Sequence, residues 1–223
     1  MTPFPEPFVL RTTLTSPFGR KVRIAADLLG LADRLRIEPA STMDENDTLR
    51  TQNPLGRIPC LIAADGEAIY DSWVIVELLQ DIAGADRPIP KSGAERYRAL
   101  TRATLADGIT EAALLMVYDG RFRPGAPPSE QWLAHLRGKI ERALAAFAAD
   151  PPDGKHLDIT GIGLVCALGY LDWRKPVDWR GPYPALAEWQ EAISANEPAI
   201  GRCPIVVSGQ RTSASGLAAS SGR

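Results

Sequence analysis

Three short stretches carry residue types whose chemistry goes beyond packing. Ser16-Pro17-Phe18 lies where a strand-like run gives way to a helix-like one. Free backbone N–H groups and the helix dipole favour an anion at such a start, and a serine hydroxyl there can donate to a thiolate. A free thiol titrates near about 8.5, and bringing it to about 6.5 takes about 2.7 kcal/mol of preferential thiolate stabilisation. One charge-assisted hydrogen bond together with a helix N-terminus is of that size. Asn53-Pro54-Leu55-Gly56-Arg57-Ile58-Pro59 reads as a binding edge. The proline holds Ile58 extended, and a cis bond between them turns the Ile58 backbone outward, where a peptide ligand can pair with it. Asp71-Ser72 precedes a helical pattern, where the hydroxyl and the first N–H groups suit a carboxylate and the Asp71 carboxylate suits an ammonium. The two together fit an amino-acid head group. Taken alone, Ser16 and Asp71-Ser72 each read more readily as plain helix caps; their occurrence with the Ile58-Pro59 edge in one chain is what makes them a candidate site.

The elements that position these residues follow from periodicity. Phe8 to Thr13 reads as a strand, and Phe18 to Leu29 as a helix with Phe18, Val22, Ala25 and Leu29 on one face. Leu35 to Pro39 supplies a second strand. Cys60 to Ala64 and Ala68 to Tyr70 flank the turn signal Asp65-Gly66 and form a hairpin that delivers Asp71-Ser72. Ser72 to Ile82 is a helix striped by Ile75, Leu78, Leu79 and Ile82. The expected order is β-α-β-(short helix)-β-β-α over residues 8–83, followed by a Gly- and Pro-rich linker to about Gly93.

From 94 to 198 the pattern is all helical. Glu95 to Tyr118 and Ser129 to Ala149 are separated by the Pro-rich Arg123 to Pro128. Ile159 to Trp173 is apolar almost all round, so it should run through the middle of this domain with Asp158 as N-cap. Pro184 to Ala195 ends the series. Residues 208–223 are Ser, Gly, Ala and little else, a composition that predicts a disordered tail.

A chain of 223 residues buries a real core without staples. Its net charge of −2 gives no field for nucleic acid or an anionic membrane. The three cysteines, Cys60, Cys166 and Cys203, are widely spaced, which argues against a disulfide framework or a metal cluster and for a reducing cytoplasm. No apolar run is long enough to span a bilayer. Cys60 sits in an apolar strand and reads as core rather than as a nucleophile, and His135 and His156 are isolated.

Ser16-Pro17-Phe18-x-Arg20-Lys21-Val22, Asn53 to Pro59 and Asp71-Ser72 resemble the N-terminal thioredoxin-like domain of cytosolic glutathione transferases. Ala106-Asp107-Gly108-Ile109 and Cys166 to Arg174 resemble the helical domain of a small bacterial subgroup, so the likeness spans Phe8 to Pro198. It implies the glutathione transferase fold, an α/β thioredoxin-like domain followed by an all-α domain, assembled as a homodimer, with glutathione as co-substrate and no metal. It also implies a role for each matching position. Ser16 would donate to the glutathione sulfur. Ile58 would pair with the cysteinyl backbone, with Pro59 cis. Asp71 and Ser72 would hold the γ-glutamyl ammonium and carboxylate, and Arg57 would approach the glycyl carboxylate. An apolar electrophile would sit against Phe18, Met116 and Tyr118. Asp107 would reach the glutathione site of a partner subunit.

The chain departs from the family at two places. Gly161 stands where the helix from Ile159 commonly carries an aspartate, so the Asp158 cap loses its reciprocal partner. The stretch Ala199 to Val207 departs from the usual C-terminal pattern. Gly19 occupies the place of a second cysteine, which argues against dithiol exchange. The reading is a transferase that joins glutathione to small electrophiles; a non-catalytic binding module and a glutathione-dependent peroxidase or reductase remain as alternatives.

Overall fold

In the computed structural model, which describes residues 4–205, the strand and helix patterns of the first part resolve into a four-stranded sheet with helices against it. β1 (Phe8–Thr12) leads through α1 (Pro17–Leu28) and a 3-10 turn at Ala32–Arg34 to β2 (Leu35–Pro39); then come α2 (Leu49–Gln52), β3 (Cys60–Ile62), β4 (Ala68–Ile69) and α3 (Ser72–Ala83). The strand order is β2-β1-β3-β4, with β1 parallel to β2 and the other pairs antiparallel. Parallel pairing requires a crossover, and α1 supplies it. Each strand of the hairpin is shorter than its apolar run. Ala63 leaves β3 because its carbonyl accepts from the N–H of Gly66 at 3.0 Å, closing a turn in which Gly66 has φ +90°.

α3 ends on Gly84 in the left-handed conformation. The segment after it is fastened, unlike a loose linker. The Gln80 side chain donates to the carbonyl of Ile89 at 2.7 Å and accepts from its N–H at 2.8 Å, and the carbonyl of Pro88 accepts from the N–H of Ile159 at 3.1 Å.

The helical part comprises α4 (Gly93–Phe122), α5 (Glu130–Ala149), α6 (Ile159–Arg174), α7 (Pro184–Asn196) and a short α8 (Pro198–Arg202) that lies past the last stripe readable in the sequence. Every residue of α6 from Ile159 to Leu168 is buried, so the apolar-all-round helix is indeed central. Asp158 caps it, accepting from the N–H of Gly161 at 2.8 Å. α6 lies close along α4 because Gly163 faces Ala106: a Cβ added there would come within 3.2 Å of the alanine methyl.

α1 is buried on both sides, between the sheet and the helical part. Its basic residues therefore point inward across the junction. Arg20 Nε donates to the carbonyl of Cys203 at 2.8 Å and Arg20 Nη1 to that of Val165 at 3.3 Å. Arg23 Nη2 donates to the carbonyls of Pro204 at 3.0 Å and Leu14 at 3.3 Å. Arg202 pairs with Asp27 on the same helix. The tail 208–223 falls outside the described residues. Among the described residues no helix is long and apolar enough to cross a membrane.

Candidate active site

Ser16 is the N-cap of α1. Its Oγ accepts from the N–H of Gly19 at 3.0 Å, and the residue is buried. Because the cap uses a lone pair, the hydroxyl hydrogen stays available to a ligand. Gly19 permits the close seating of α1 on β1: a Cβ there would fall 2.0 Å from Thr12 Oγ1. The place of a second cysteine is thus filled by a residue that packing requires to be small.

The Asn53 side chain shapes the loop before the binding edge. Asn53 Nδ2 donates to the carbonyl of Arg57 at 2.8 Å, and Asn53 Oδ1 accepts from the N–H of Leu55 at 3.0 Å. Gly56 has φ +60° in that loop. The Ile58–Pro59 peptide is cis, and Pro59 is buried while Ile58 is half-buried. The Arg57 side chain is exposed.

The hairpin delivers Asp71 and Ser72 to the start of α3. Asp71 is the N-cap, accepting from the N–H of Trp73 at 2.9 Å, and it is exposed; Ser72 is buried behind it. Behind Ser72 lies a group the sequence reading did not single out. The Lys21 ammonium, with its residue 1 % exposed, donates to Ser72 Oγ at 3.4 Å and to Asp107 Oδ2 at 2.5 Å. Its Nζ stands 4.8 Å from the Trp73 ring centroid and 5.3 Å from that of Phe18, a cation over two aromatic faces. Phe18 is therefore turned toward Lys21. Asp107 is only 7 % exposed and is held by its own chain. Burial pushes its carboxyl above the usual range, and the attraction of Lys21 opposes that shift.

Ser16, Phe18, Ser72 and Asp107 are thus linked through α1. Tyr118 lies eleven residues beyond Asp107 in α4, three turns on and on the same face. Met116 is nine residues beyond, half a turn off that face, and packs partly buried on the core. Lys21 and Asn53 are the positioning groups that sequence reading missed. Asn53 begins the Asn53-to-Pro59 stretch, and an Asn four residues before the Arg57 carbonyl is the signal of a side chain closing a loop on its own backbone. Among the described residues no group of His, Cys, Asp and Glu has the makings of a metal site.

Residues 15–82 match the family model for the glutathione S-transferase N-terminal domain. The GST-like protein YibF of Escherichia coli K12 is 31% identical over 188 residues, covering 82% of this chain and 92% of its own. A glutathione transferase family member from Pseudomonas fluorescens Pf-5 with bound glutathione superposes with a TM-score of 0.82 at 36% identity, over 90% of this chain and all of its own. A second structure from that organism, with bound S-(propanoic acid)-glutathione, superposes with a TM-score of 0.78 at 36% identity, over 89% of this chain and 100% of that one. A glutathione S-transferase from Methylobacillus flagellatus KT with glutathione bound gives 0.81 at 31% identity, over 89% of this chain and 100% of that one. With the sheet, the helical part and these likenesses in agreement, the chain belongs to the glutathione S-transferase superfamily.

Proposed function

We propose that this protein binds glutathione and transfers its thiolate to a small electrophile. The observation that carries the proposal is the junction at α1, where a capping hydroxyl with a free hydrogen begins the helix that also carries Lys21 to Ser72. Ser16 donates to the glutathione sulfur and holds it as thiolate. The cysteinyl backbone pairs with Ile58 beside cis Pro59. The γ-glutamyl ammonium meets Asp71, and its carboxylate meets the Ser72 hydroxyl and the first N–H groups of α3. Lys21 donates to Ser72 Oγ, so the hydroxyl hydrogen is left to the ligand. Asp107 belongs to this site in its own chain, as the carboxylate that pairs with Lys21. Arg57 approaches the glycyl carboxylate, and the electrophile lies toward Tyr118.

In the reaction the sulfur forms a bond to an electrophilic carbon, and that carbon either loses a leaving group with its electron pair or passes a π pair to its neighbour, which is then protonated. Lowering the thiol's pKa raises the reactive fraction at neutral pH more than it lowers intrinsic nucleophilicity. Glutathione in the similar structures supports the binding, and S-(propanoic acid)-glutathione in one of them supports room for a substituent on the sulfur. A homodimer working in the cytoplasm completes the proposal, with exposed Val74 of α3 and Tyr97 and Leu105 of α4 as apolar material for the interface.

Calorimetric titration with glutathione, on the wild type and on Ser72→Ala, tests the site. Saturable binding that weakens by about tenfold in the variant is the expected result, the size of a lost charge-assisted hydrogen bond. A folded protein that takes up no glutathione would overturn the proposal.

A further inference from the structure

Beyond the level at which α1 meets α6, the ends of α4 and α6 bring together two phenols and two guanidiniums. Asp107, Tyr118 and Arg121 share one face of α4, since steps of eleven and fourteen residues are three and four turns to within about 40°. Tyr118 stands about 16 Å along the helix from Asp107 and so away from the Lys21–Ser72 end of the site. α6 runs beside α4 in the same direction. Thr160 Oγ1 donates to the carbonyl of Ala99 at 3.2 Å near the start, Gly163 faces Ala106, and Tyr170, seven residues beyond Gly163 and so on the same face of α6, turns toward the last turns of α4. Arg20, whose N–H donates to the carbonyl of Ser16 at 2.8 Å, lies against Gly169, the residue before Tyr170.

The two guanidiniums lie over aromatic rings. Arg121 stands 5.1 Å from the Tyr118 ring centroid and Arg174 3.6 Å from that of Trp173, which itself meets Tyr170 edge to face at 5.8 Å. Both arginines are exposed. The acids close to them in sequence are engaged elsewhere: Asp119 pairs with Arg123 at 3.2 Å and Asp172 with Arg180 at 2.7 Å. Among the described residues neither Arg121 nor Arg174 has a carboxylate partner of its own. A solitary exposed arginine is ordinarily just solvated. Two at the adjoining ends of parallel helices that also carry a pair of tyrosines, each over an aromatic face and without a carboxylate partner, offer donors suited to a carboxylate.

We propose that Arg121 and Arg174, with the hydroxyls of Tyr118 and Tyr170, bind a carboxylate on the electrophile, so that the acceptors of this enzyme are small electrophilic acids. The proposal rests on the transferase reading of the same site. For an α,β-unsaturated acid, the glutathione sulfur bonds to the β-carbon, the π pair moves to the α-carbon, and a proton from solvent completes the thioether. Charge pushed toward the carboxylate in that step falls on the guanidiniums.

The test is calorimetric titration with S-(carboxyalkyl)glutathiones of increasing chain length, each against its neutral primary amide, with glutathione alone as reference. It is run on the wild type, on Arg121→Gln, on Arg174→Gln and on the double variant. The expected result is that at least one acid binds about tenfold more tightly than its amide, a preference that shrinks with added salt and falls to about one in the double variant while glutathione itself binds as before. Acids and amides bound equally along the whole series, with glutathione bound normally, would overturn the carboxylate site and leave the transferase reading standing. A preference that survives in the double variant would overturn its assignment to these arginines. Failure of glutathione to bind would overturn both.

Discussion

In the proposed function Ser16 serves two purposes with one oxygen: a lone pair closes the first turn of α1, and the hydrogen would go to the glutathione sulfur. Ser16→Ala should therefore lower stability by about 1 kcal/mol through the lost cap. It should lower kcat by about 10- to 100-fold through the lost thiolate donor, with glutathione affinity changed little. Steady-state kinetics beside calorimetry separates these, and equal losses in turnover and affinity would remove the thiolate role. The protein's own thiols stand apart from this chemistry. Burial pushes Cys60 and Cys166 up to about 11 and raises Cys203 as well. A thiol reagent at pH 8 should find the native protein nearly silent and all three cysteines reactive once it is unfolded; a fast native thiol would count against that picture. Ser16, Ile58-Pro59 and Asp71-Ser72 were legible because caps and X-Pro bonds are set by neighbours in the chain. Lys21 was not, because lysine is almost always solvated and its partners Ser72 and Asp107 lie 51 and 86 residues away.

Among the elements, the loop from Asn53 to Pro59 depends on one side chain for its shape. Asn53→Ala removes the bonds to Arg57 and Leu55 and should cost about 1–3 kcal/mol in urea unfolding. It should also weaken glutathione binding by letting the Ile58 backbone move. Unchanged affinity in a destabilised variant would confine Asn53 to folding. The main helices and strands were readable from their periods, most with ends displaced by a residue or two, though α4 runs four residues past Tyr118 to Phe122. Ala63 is one of the small displacements, taken from β3 by the Gly66 turn. α8 was not readable, because five residues cannot display a stripe. The fastening at Ile89 was hidden for a different reason: its partner, Gln80, reads as an ordinary polar position of α3, and only the fold shows its amide buried and paired.

For the molecule as a whole, the Lys21–Asp107 pair is a buried charge contact between the sheet part and the helical part. Lys21→Met leaves Asp107 buried without its counterion, which should cost about 3–5 kcal/mol, and adding Asp107→Leu should restore most of it. The pH dependence has a definite sign. Burial raises the folded pKa of Asp107 above its unfolded value, so stability is greatest below the unfolded carboxylate pKa and is lost as pH rises through the folded one. The deficit of Lys21→Met should accordingly be smallest in acid and grow toward neutrality; a deficit independent of pH would mean that the carboxylate has found another partner. A second set of contacts joins the same two parts. Arg20 and Arg23 of α1 donate to the carbonyls of Cys203 and Pro204. A ribosome makes α1 early and those carbonyls last among the described residues. A nascent chain thus carries Ser16 on a helix whose two guanidiniums have yet to meet those partners, and the junction matures when the segment around Cys203 and Pro204 emerges and folds back onto α1.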